Sequence, residues 1–399
     1  MDLINWLFLS TSSMEEKEIK NTIFIVTTHI LFRDIYKPNE PVEGPYTSVI
    51  NALRDKAKLV EVLGFPLIGY KHPIIYGKES STKILKLPNF LGVIPPIKYL
   101  VDIVLTIVLL TQTLIKNRKE SIIVVGIDPL SSIPALILKP IFRFKFIFYC
   151  VDFNENRFKN GLMQGIYQYF DRLSSIKADQ VWVVCDSLKE YKKKHFGADS
   201  IYIPNSPLHD PALSKEGKNK RTGNKLAWTG TLLTERQFGI FFDVVENILK
   251  VRPDLEVYLV PIKDHEKFET IIKERKLNNV KVIRLTSRRA WQEFVATCDV
   301  GLAVYDDKFG STKYIEPLKI WDFMLCGVPF IISCEPSIAK PVVDSKVCYL
   351  LGPANSFPNE MGLKKFLEKG NLDTLFEKCL TLSRDFAIDK RIISSLKSL

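Results

Sequence analysis

The sequence lacks the cysteine spacing on which small zinc-binding and disulfide-rich domains depend. Its seven cysteines include no Cys-x-x-Cys pair, and their number is odd. Both facts argue against a structural zinc site or a disulfide framework, and they favour a reducing compartment. Glycine and proline, at 19 and 22 residues, are at ordinary levels, which excludes a collagen-like or low-complexity chain.

The sequence also lacks a long apolar run. The longest charge-free apolar stretch in the middle of the first half, Ile103–Ile115, has 13 residues, whereas a membrane span needs about 20. The start, MDLINWLFLS, joins an acidic residue to a very short apolar run, which is not the pattern of a secretory signal. We therefore expect a cytoplasmic protein, either soluble or attached peripherally to the inner face of the membrane.

Neither a basic tail nor an arginine-rich arm is present, although the net charge is +11. A nucleic-acid-binding protein would cluster that charge, so we expect no nucleic-acid partner. Distributed basicity suits an anionic small substrate and an anionic membrane surface equally well. We interpret Tyr99–Ile115 as a buried helix. In Pro140–Phe148, basic residues alternate with aromatic and aliphatic ones, which leaves peripheral membrane attachment open.

Strand and helix patterns alternate through both halves of the chain. Short β-branched runs without polar alternation, of which Thr22–Thr28 is the first, indicate strands buried on both faces, as in parallel α/β sheets. The segment 206–223 has the proline, glycine, lysine and asparagine content of a linker, and the alternation restarts after it. The sequence therefore predicts an α/β fold with two doubly wound Rossmann-like domains that face a cleft.

Domain boundaries follow from the same patterns. We predict an N-terminal extension at 1–21, a first domain at 22–205, a linker at 206–223, a second domain at 224–371, and a final helical region at 372–399 that could cross back to the first domain. Ligands of open α/β sheets bind outside the carboxyl ends of the strands, so the loops that follow the strands are where functional residues are expected.

The most informative segment is GSTKYIEPLKIWDFMLCGVPFIIS, residues 310–333. Pro317 suits the first position of a helix, where its missing N–H costs nothing, and the free N–H groups of such a helix start form an anion site. Lys319 lies in the first turn, where a cation does not complement the helix dipole, so a nearby anion explains it better. Asp322 follows on the same face. A capped surface helix with an ion pair is the simpler alternative.

This segment resembles a known family. The string PLKIWDF, followed by CGVP, is similar to the P-x-K-x-x-E-Y/F-x-x-x-G-x-P-V signature of GT-B glycosyltransferases of the family 4 type, and also to dolichol-linked β-mannosyltransferases. The resemblance implies that Asp322 binds the ribose hydroxyls of a nucleotide-sugar donor. It also implies that Lys319, the backbone of Glu316, Pro317 and Leu318, and the loop with Ser311 face the diphosphate or the sugar.

Other segments extend the resemblance to most of the chain. LAWTGTLLTER (226–236) resembles the turn that opens the nucleotide-binding half, and VKVIRLTS (280–287) resembles the loop that contacts the base. YCVDFNENR (149–157) resembles a segment at the cleft. The residues that the resemblance assigns to the donor or the cleft are Gly230, Thr231 in place of the usual arginine, Arg236 in place of the diphosphate-binding lysine, Arg284, Asp152, Gly44 and Tyr46. His29 follows the first strand, so this topology would make it a catalytic or acceptor contact in the cleft; a histidine that is only hydrogen-bonded in place is the alternative.

The implied function is sugar transfer from a nucleoside diphosphate sugar to a glycan or lipid-linked acceptor. The second domain would hold the donor and the first the acceptor, with no metal and no cofactor. Lys319 and Arg236 would stabilise the leaving diphosphate. If the enzyme inverts, Asp152, Asp34 or Glu155 could act as the base, and Asp152 is the best placed because it follows its strand; retention is equally open. A non-catalytic scaffold and a nucleotide-sugar epimerase on the same fold are the alternatives.

Overall fold

Buried β-branched runs, such as residues 22–28, form strands of the protein, as the sequence predicts. The structure, a computed structural model, describes residues 18–30, 45–66, 74–76, 82–84, 95–308, 312–334 and 336–399. Within them the chain divides into two units. The first contains the described residues up to Val184, Leu188–Ile203 and Ile388–Leu399, and the second contains Cys185–Ser187 and Pro204–Ala387.

The first unit is an eight-stranded sheet in which six adjacent strands, β2, β1, β5, β6, β7 and β8, are parallel. Its order is β4-β3-β2-β1-β5-β6-β7-β8, and only β3 and β4 are antiparallel to their neighbours. The strands are β1 Thr22–Ile30, β2 Leu59–Pro66, β3 Ile74–Tyr76, β4 Thr82–Ile84, β5 Ser121–Ile127, β6 Lys145–Cys150, β7 Gln180–Val183 and β8 Ile201–Tyr202. The helices are α1 Pro45–Leu53, α2 Pro95–Lys116, α3 Pro129–Leu138, α4 Gly161–Lys177 and α5 Asp186–Phe196.

The second unit is a six-stranded parallel sheet with the order β11-β10-β9-β12-β13-β14. The strands are β9 Lys225–Gly230, β10 Glu256–Pro261, β11 Val280–Val282, β12 Val300–Ala303, β13 Phe330–Ile332 and β14 Cys348–Leu350. The helices are α6 Pro211–Lys218, α7 Glu235–Val251, α8 His265–Glu274, α9 Arg288–Ala296, α10 Leu318–Leu325, α11 Lys340–Asp344, α12 Glu360–Phe366 and α13 Lys369–Asp385. The last helix, α14 Ile388–Leu396, belongs to the first unit and packs on α1.

The segment interpreted as a linker contains helix α6. Asp210 caps its start by accepting a hydrogen bond from the N–H of Ala212 at 3.2 Å, and Pro211 follows at the first helical position. The helix packs closely on α9, because a Cβ atom on Gly217 would lie 2.3 Å from the carbonyl oxygen of Ala296. Residues 211–218 are therefore an integral part of the second unit.

Helix α2 differs most from its prediction. The helix extends beyond the charge-free stretch at its start, where its first turns include Lys98 and Asp102. Among the described residues it is the one helix whose length and composition would allow it to cross a membrane. Only 22% of its most apolar window is buried. The interpretation as a buried helix is therefore wrong for most of its surface.

Close packing fixes helix α10 against the second sheet. A Cβ atom on Gly301 of β12 would lie 2.6 Å from the ring of Phe323, so only glycine allows this approach. Trp321 on the same helix is fully buried and packs against Phe386, with 5.5 Å between the ring centroids. The start of α10 is thereby held at the carboxyl end of β12.

Candidate functional site

A cavity of about 160 Å³ lies at the carboxyl ends of β9 and β12 in the second unit. Its position is the one where open α/β sheets bind ligands. Its walls combine aromatic, aliphatic and polar side chains, with one cation and one carboxylate: Trp228, Thr231, Leu232, Leu233, Gln237, Ile240, Val304, Tyr305, Asp306, Thr312, Ile315 and Lys319.

Lys319 is the cation in this cavity. Its Nζ donates a hydrogen bond to the carbonyl oxygen of Thr229 at 2.6 Å and lies 5.3 Å from the ring centroids of both Trp228 and Tyr305. No carboxylate in the described part of the chain forms an ion pair with it. Burial removes water from the ammonium group and lowers the pKa of Lys319 to about 7.

Gly230 makes room for this ammonium group. Its φ is +150°, a conformation that residues with side chains rarely adopt, and a Cβ atom there would lie 3.0 Å from the Lys319 Nζ and 3.3 Å from the Trp228 ring. The predicted turn glycine is therefore required by its backbone conformation, and any side chain there would also crowd the cation.

The start of helix α10 adds backbone donors to the same place. Pro317 precedes the helix and supplies no side-chain cap, so the N–H groups of Leu318 and Lys319 have no acceptor within the helix. Such groups attract anions. Glu316 is buried, and its Oε2 accepts a hydrogen bond from the Trp321 indole at 2.8 Å, so its carboxylate anchors the helix start.

Asp322 lies one turn further along α10, buried and held by two donors from α9. Its Oδ1 accepts hydrogen bonds from Arg288 Nη2 at 2.9 Å and from Gln292 Nε2 at 2.8 Å. Its Oδ2 accepts none from the described residues. The carboxylate is thus held in one orientation, and one oxygen stays available for a hydroxyl donor.

Arg236 is bound to a pair of carboxylates at the end of β12. Its Nε donates to both oxygens of Asp306 at 3.0 and 3.1 Å, and its Nη2 donates to Asp307 at 2.9 Å. Asp306 is nearly buried, and the backbone N–H of Lys308 and the Arg236 charge hold the pKa of its carboxyl below the usual range although burial opposes them. This acidic pair therefore positions Arg236.

The remaining predicted donor residues are distributed unevenly. Thr231 lines the cavity with Lys319. Arg284 is exposed and lies with His265 and Lys267 around a separate surface depression at the start of α8. Ser311 and Gly44 lie outside the described residues, and Tyr46 is buried in the first turn of α1 in the first unit.

His29 is the last residue but one of strand β1 in the first unit. Its Nδ1 lies 2.8 Å from Ser131 Oγ, its Nε2 lies 3.6 Å from an Asp102 carboxylate oxygen, and its ring meets Tyr99 edge-on. Burial lowers the pKa of His29, although the Asp102 carboxylate opposes the shift. The imidazole is therefore neutral near pH 7 and is held in one orientation.

Asp152 and Asp128 lie at the neighbouring strand ends, after β6 and β5. Asp152 is exposed, and its carboxylate forms an ion pair with Arg157 Nη1 at 3.0 Å. Asp128 is held with φ at +69°, and its Oδ1 accepts hydrogen bonds from the N–H groups of Val151 and Asp152 at 3.5 and 3.3 Å. Burial raises the pKa of Asp128 to about 7, although the Arg157 charge lowers it. We call His29, Asp102, Asp128, Asp152 and Arg157 the carboxyl-edge cluster.

Sequence reasoning missed three of these polar residues. Asp128 directly precedes Pro129 after a buried strand, which is a helix-start pattern and could have drawn attention to it. Arg288 begins helix α9, where a cation does not complement the dipole, so the argument applied to Lys319 would also have required an anion near it. Gln292 carried no such signal.

Among the described residues, no group of three or more His, Cys, Asp or Glu side chains is arranged to hold a metal ion. No protein-family model matches the chain, and no curated protein sequence matches it.

Solved structures do match, over nearly the whole chain. A sucrose-phosphate synthase from Thermosynechococcus elongatus is 15% identical, with a TM-score of 0.66, over 94% of this chain and 97% of that one. Anabaena HepE in complex with UDP is 14% identical, with a TM-score of 0.62, over 95% and 100%. A Listeria monocytogenes protein described as a UDP-N-acetylglucosamine 2-epimerase is 13% identical, with a TM-score of 0.53, over 95% and 96%.

These similarities confirm the predicted fold class. The chain has the two Rossmann-like units of the GT-B fold, and glycosyltransferases are among the structures that it resembles. At these identities the likeness establishes the fold, and the fold alone does not establish the activity.

The lowered pKa of Lys319 can be measured by competitive acetylation with acetic anhydride at a series of pH values, followed by peptide mass spectrometry. We expect the acetylation of Lys319 to reach half its maximum near pH 7, because its ammonium group is desolvated. Inorganic pyrophosphate should move that midpoint to higher pH, because a bound anion stabilises the protonated form.

Lys281 is the internal control, since a hydrogen bond to Glu256 raises the pKa of this exposed lysine. Its acetylation should begin well above pH 7 with or without pyrophosphate. A Lys319 profile that matches Lys281 would contradict the desolvated state of the ammonium group.

Proposed function

We propose that this protein is a glycosyltransferase that moves a sugar from a nucleoside diphosphate sugar to a hydroxyl of a glycan or lipid-linked acceptor. The observation that carries the proposal is Lys319, a desolvated cation with no ion-pair partner among the described residues, beside the uncapped start of helix α10. An anionic ligand supplies the charge that this arrangement lacks.

The second unit suits the donor. Lys319 and the N–H groups at the start of α10 would bind the diphosphate, and the available oxygen of Asp322 would accept hydrogen bonds from the ribose. The two side chains lie three residues apart, about 4.5 Å along the helix axis, so they can contact adjoining parts of one nucleotide. The cavity walls at Trp228 and Tyr305 would exclude water from the diphosphate.

Departure of the diphosphate is the step that needs electrostatic help. Breaking the bond between the sugar and its phosphate leaves an additional negative charge on the phosphate oxygen. Donor binding would protonate Lys319, whose charge then stabilises the leaving group. Arg236 would release Asp306 and Asp307 and bind the diphosphate instead. We propose that Lys319, Arg236 and the start of α10 stabilise the diphosphate without a metal ion.

The first unit suits the acceptor. In an inverting reaction a base removes the proton of the acceptor hydroxyl, and its pKa should lie near the working pH. Asp128 fulfils this requirement, whereas Asp152 is exposed and paired with Arg157. We therefore propose Asp128 as the base in place of Asp152, with His29 as an acceptor contact.

An epimerase is the second candidate, because one of the similar structures is described as a UDP-N-acetylglucosamine 2-epimerase. An epimerase would convert a nucleotide sugar without an acceptor and without releasing the diphosphate as a product of transfer. Product analysis by mass spectrometry and NMR separates the two activities.

Substitutions at the donor site should reduce transfer in distinct ways. We expect Lys319→Met to lower kcat by about 10²–10³, because its charge acts on the leaving group. Asp322→Asn should mainly raise KM, because the ribose contact is present before and during the reaction. Arg236→Ala should lower kcat/KM strongly. The measurement is steady-state release of nucleoside diphosphate with the matched donor and acceptor.

Lys340→Ala is the matched control, since Lys340 is exposed at the start of α11 and borders none of the contacts described above. It should keep wild-type rates. If all three site variants fold and also keep wild-type rates, the assignment of the donor site is wrong.

Asp128→Asn tests the base. Asparagine tolerates a positive φ and keeps an oxygen for the two backbone donors, so the fold should persist. We expect kcat/KM of the wild type to rise with pH through about 7 as Asp128 loses its proton, and the variant to lose this dependence with a 10²–10⁴-fold lower rate, about the usual contribution of a general base. Asp152→Asn should retain the pH dependence. The reverse pattern would return the role to Asp152.

A further inference from the structure

Helices α2 and α4 of the first unit, with the end of α3, expose large apolar side chains. Leu100, Val104 and Val108 are 62%, 50% and 46% exposed along one face of α2. Ile141, just after α3, is 71% exposed, and Leu162 and Tyr169 on α4 are 75% and 60% exposed. We call these six residues the apolar face. Soluble monomers expose single residues of this kind routinely, but contiguous groups mark an interaction site.

The three helices that carry the apolar face are neighbours. Helix α2 packs on α3, and α3 packs on α4. Each is followed by one of three adjacent parallel strands, β5, β6 and β7, so all three helices run in the same direction and end at the same edge of the sheet. The apolar side chains therefore belong to one surface.

Basic residues outnumber carboxylates on the three helices that carry this surface. The segments 95–119, 129–145 and 160–177 contain nine lysine and arginine residues and two carboxylates. Both carboxylates, Asp102 and Asp171, are buried in ion pairs with lysines. Exposed basic residues collect where the helices end: Lys116, Arg118, Lys119, Arg143 and Lys177. An apolar face with a basic rim complements an anionic lipid surface.

We propose that the apolar face seats the first unit on an anionic lipid bilayer, with α2 lying in the interface. Two copies of the chain would bring their basic rims together and repel one another, so a bilayer suits the surface better than a second copy. Helix α2 does not cross the bilayer in this arrangement, because its inner stripe at Asp102, Thr106 and Leu110 is buried in the unit.

The surface would also place the acceptor, and this part of the inference rests on the proposed function. Tyr99 and Asp102, in the first turns of α2, contact His29 in the carboxyl-edge cluster. An acceptor anchored in the bilayer by a lipid would therefore have its polar part near Asp128 and His29. Free oligosaccharides would not benefit from this placement.

Co-sedimentation of the full chain with vesicles tests the surface without donor or acceptor. We expect binding to vesicles of phosphatidylcholine with phosphatidylglycerol, and much weaker binding to pure phosphatidylcholine. The double variant Leu100→Glu, Val104→Glu should weaken binding by about tenfold or more, since each side chain no longer enters the lipid. Arg118→Ala, Lys119→Ala and Arg143→Ala should each weaken it about fivefold.

Ile262→Glu is the matched control, because Ile262 is 73% exposed but belongs to the second unit, and it should bind like the wild type. Circular dichroism and nucleotide binding verify that each variant is folded and intact. Absence of sedimentation, equal binding to both vesicle types, or unchanged binding of the double variant would overturn the proposal. A lipid-free dimer that the double variant dissociates would assign the face to a second copy instead.

The membrane surface and the proposed transferase activity can be disproved independently of one another. Vesicle binding requires no catalysis, and donor binding by the second unit requires no lipid. A protein that binds nucleotide sugar but no vesicles loses only the membrane surface. A protein that binds vesicles but no nucleotide loses the transferase assignment and keeps the surface.

Discussion

The desolvated ammonium group of Lys319 is the constraint around which the second unit is arranged. Gly230 leaves it space, the carbonyl oxygen of Thr229 accepts a hydrogen bond from it, and two aromatic rings lie beside it. A buried cation without a counter-charge costs stability unless it loses its proton or meets an anion. Proteins retain such groups mostly at functional sites, and here the cavity opens at the sheet edge where ligands bind.

The two units divide the polar chemistry between them. The second unit presents cations and free N–H groups, whereas the carboxyl-edge cluster of the first unit presents a neutral imidazole and a carboxyl whose pKa is raised to about 7. An anionic donor and an acceptor hydroxyl require these opposite properties, one to neutralise charge and the other to accept a proton. The division supports a transfer reaction more directly than either site does alone.

The sequence predicted the fold class and helix α10 well, because proline at its start and Cys-Gly at its end are local signals that tertiary structure did not override. The sequence did not predict helix α6, because the lysine and asparagine content of its segment indicated a linker more strongly than Asp210-Pro211 indicated a helix start. The surface of α2 was misjudged because composition shows that a helix is apolar but not which of its faces finds a partner. The pairing of Arg236 with Asp306 and Asp307 depends on residues 70 positions apart in sequence, which no local pattern reveals.

The most direct measurement is a thermal-shift panel with UDP, GDP, ADP, CDP and dTDP on the purified wild type and on Lys319→Met, with and without Mg²⁺. A ligand at 100 times its Kd stabilises by about 2.7 kcal/mol, which is readily seen in a melting curve. The account predicts that at least one diphosphate stabilises the wild type without Mg²⁺ and that Lys319→Met loses most of the shift. A cooperative melt that no diphosphate moves, or an equal shift in both proteins, would contradict it.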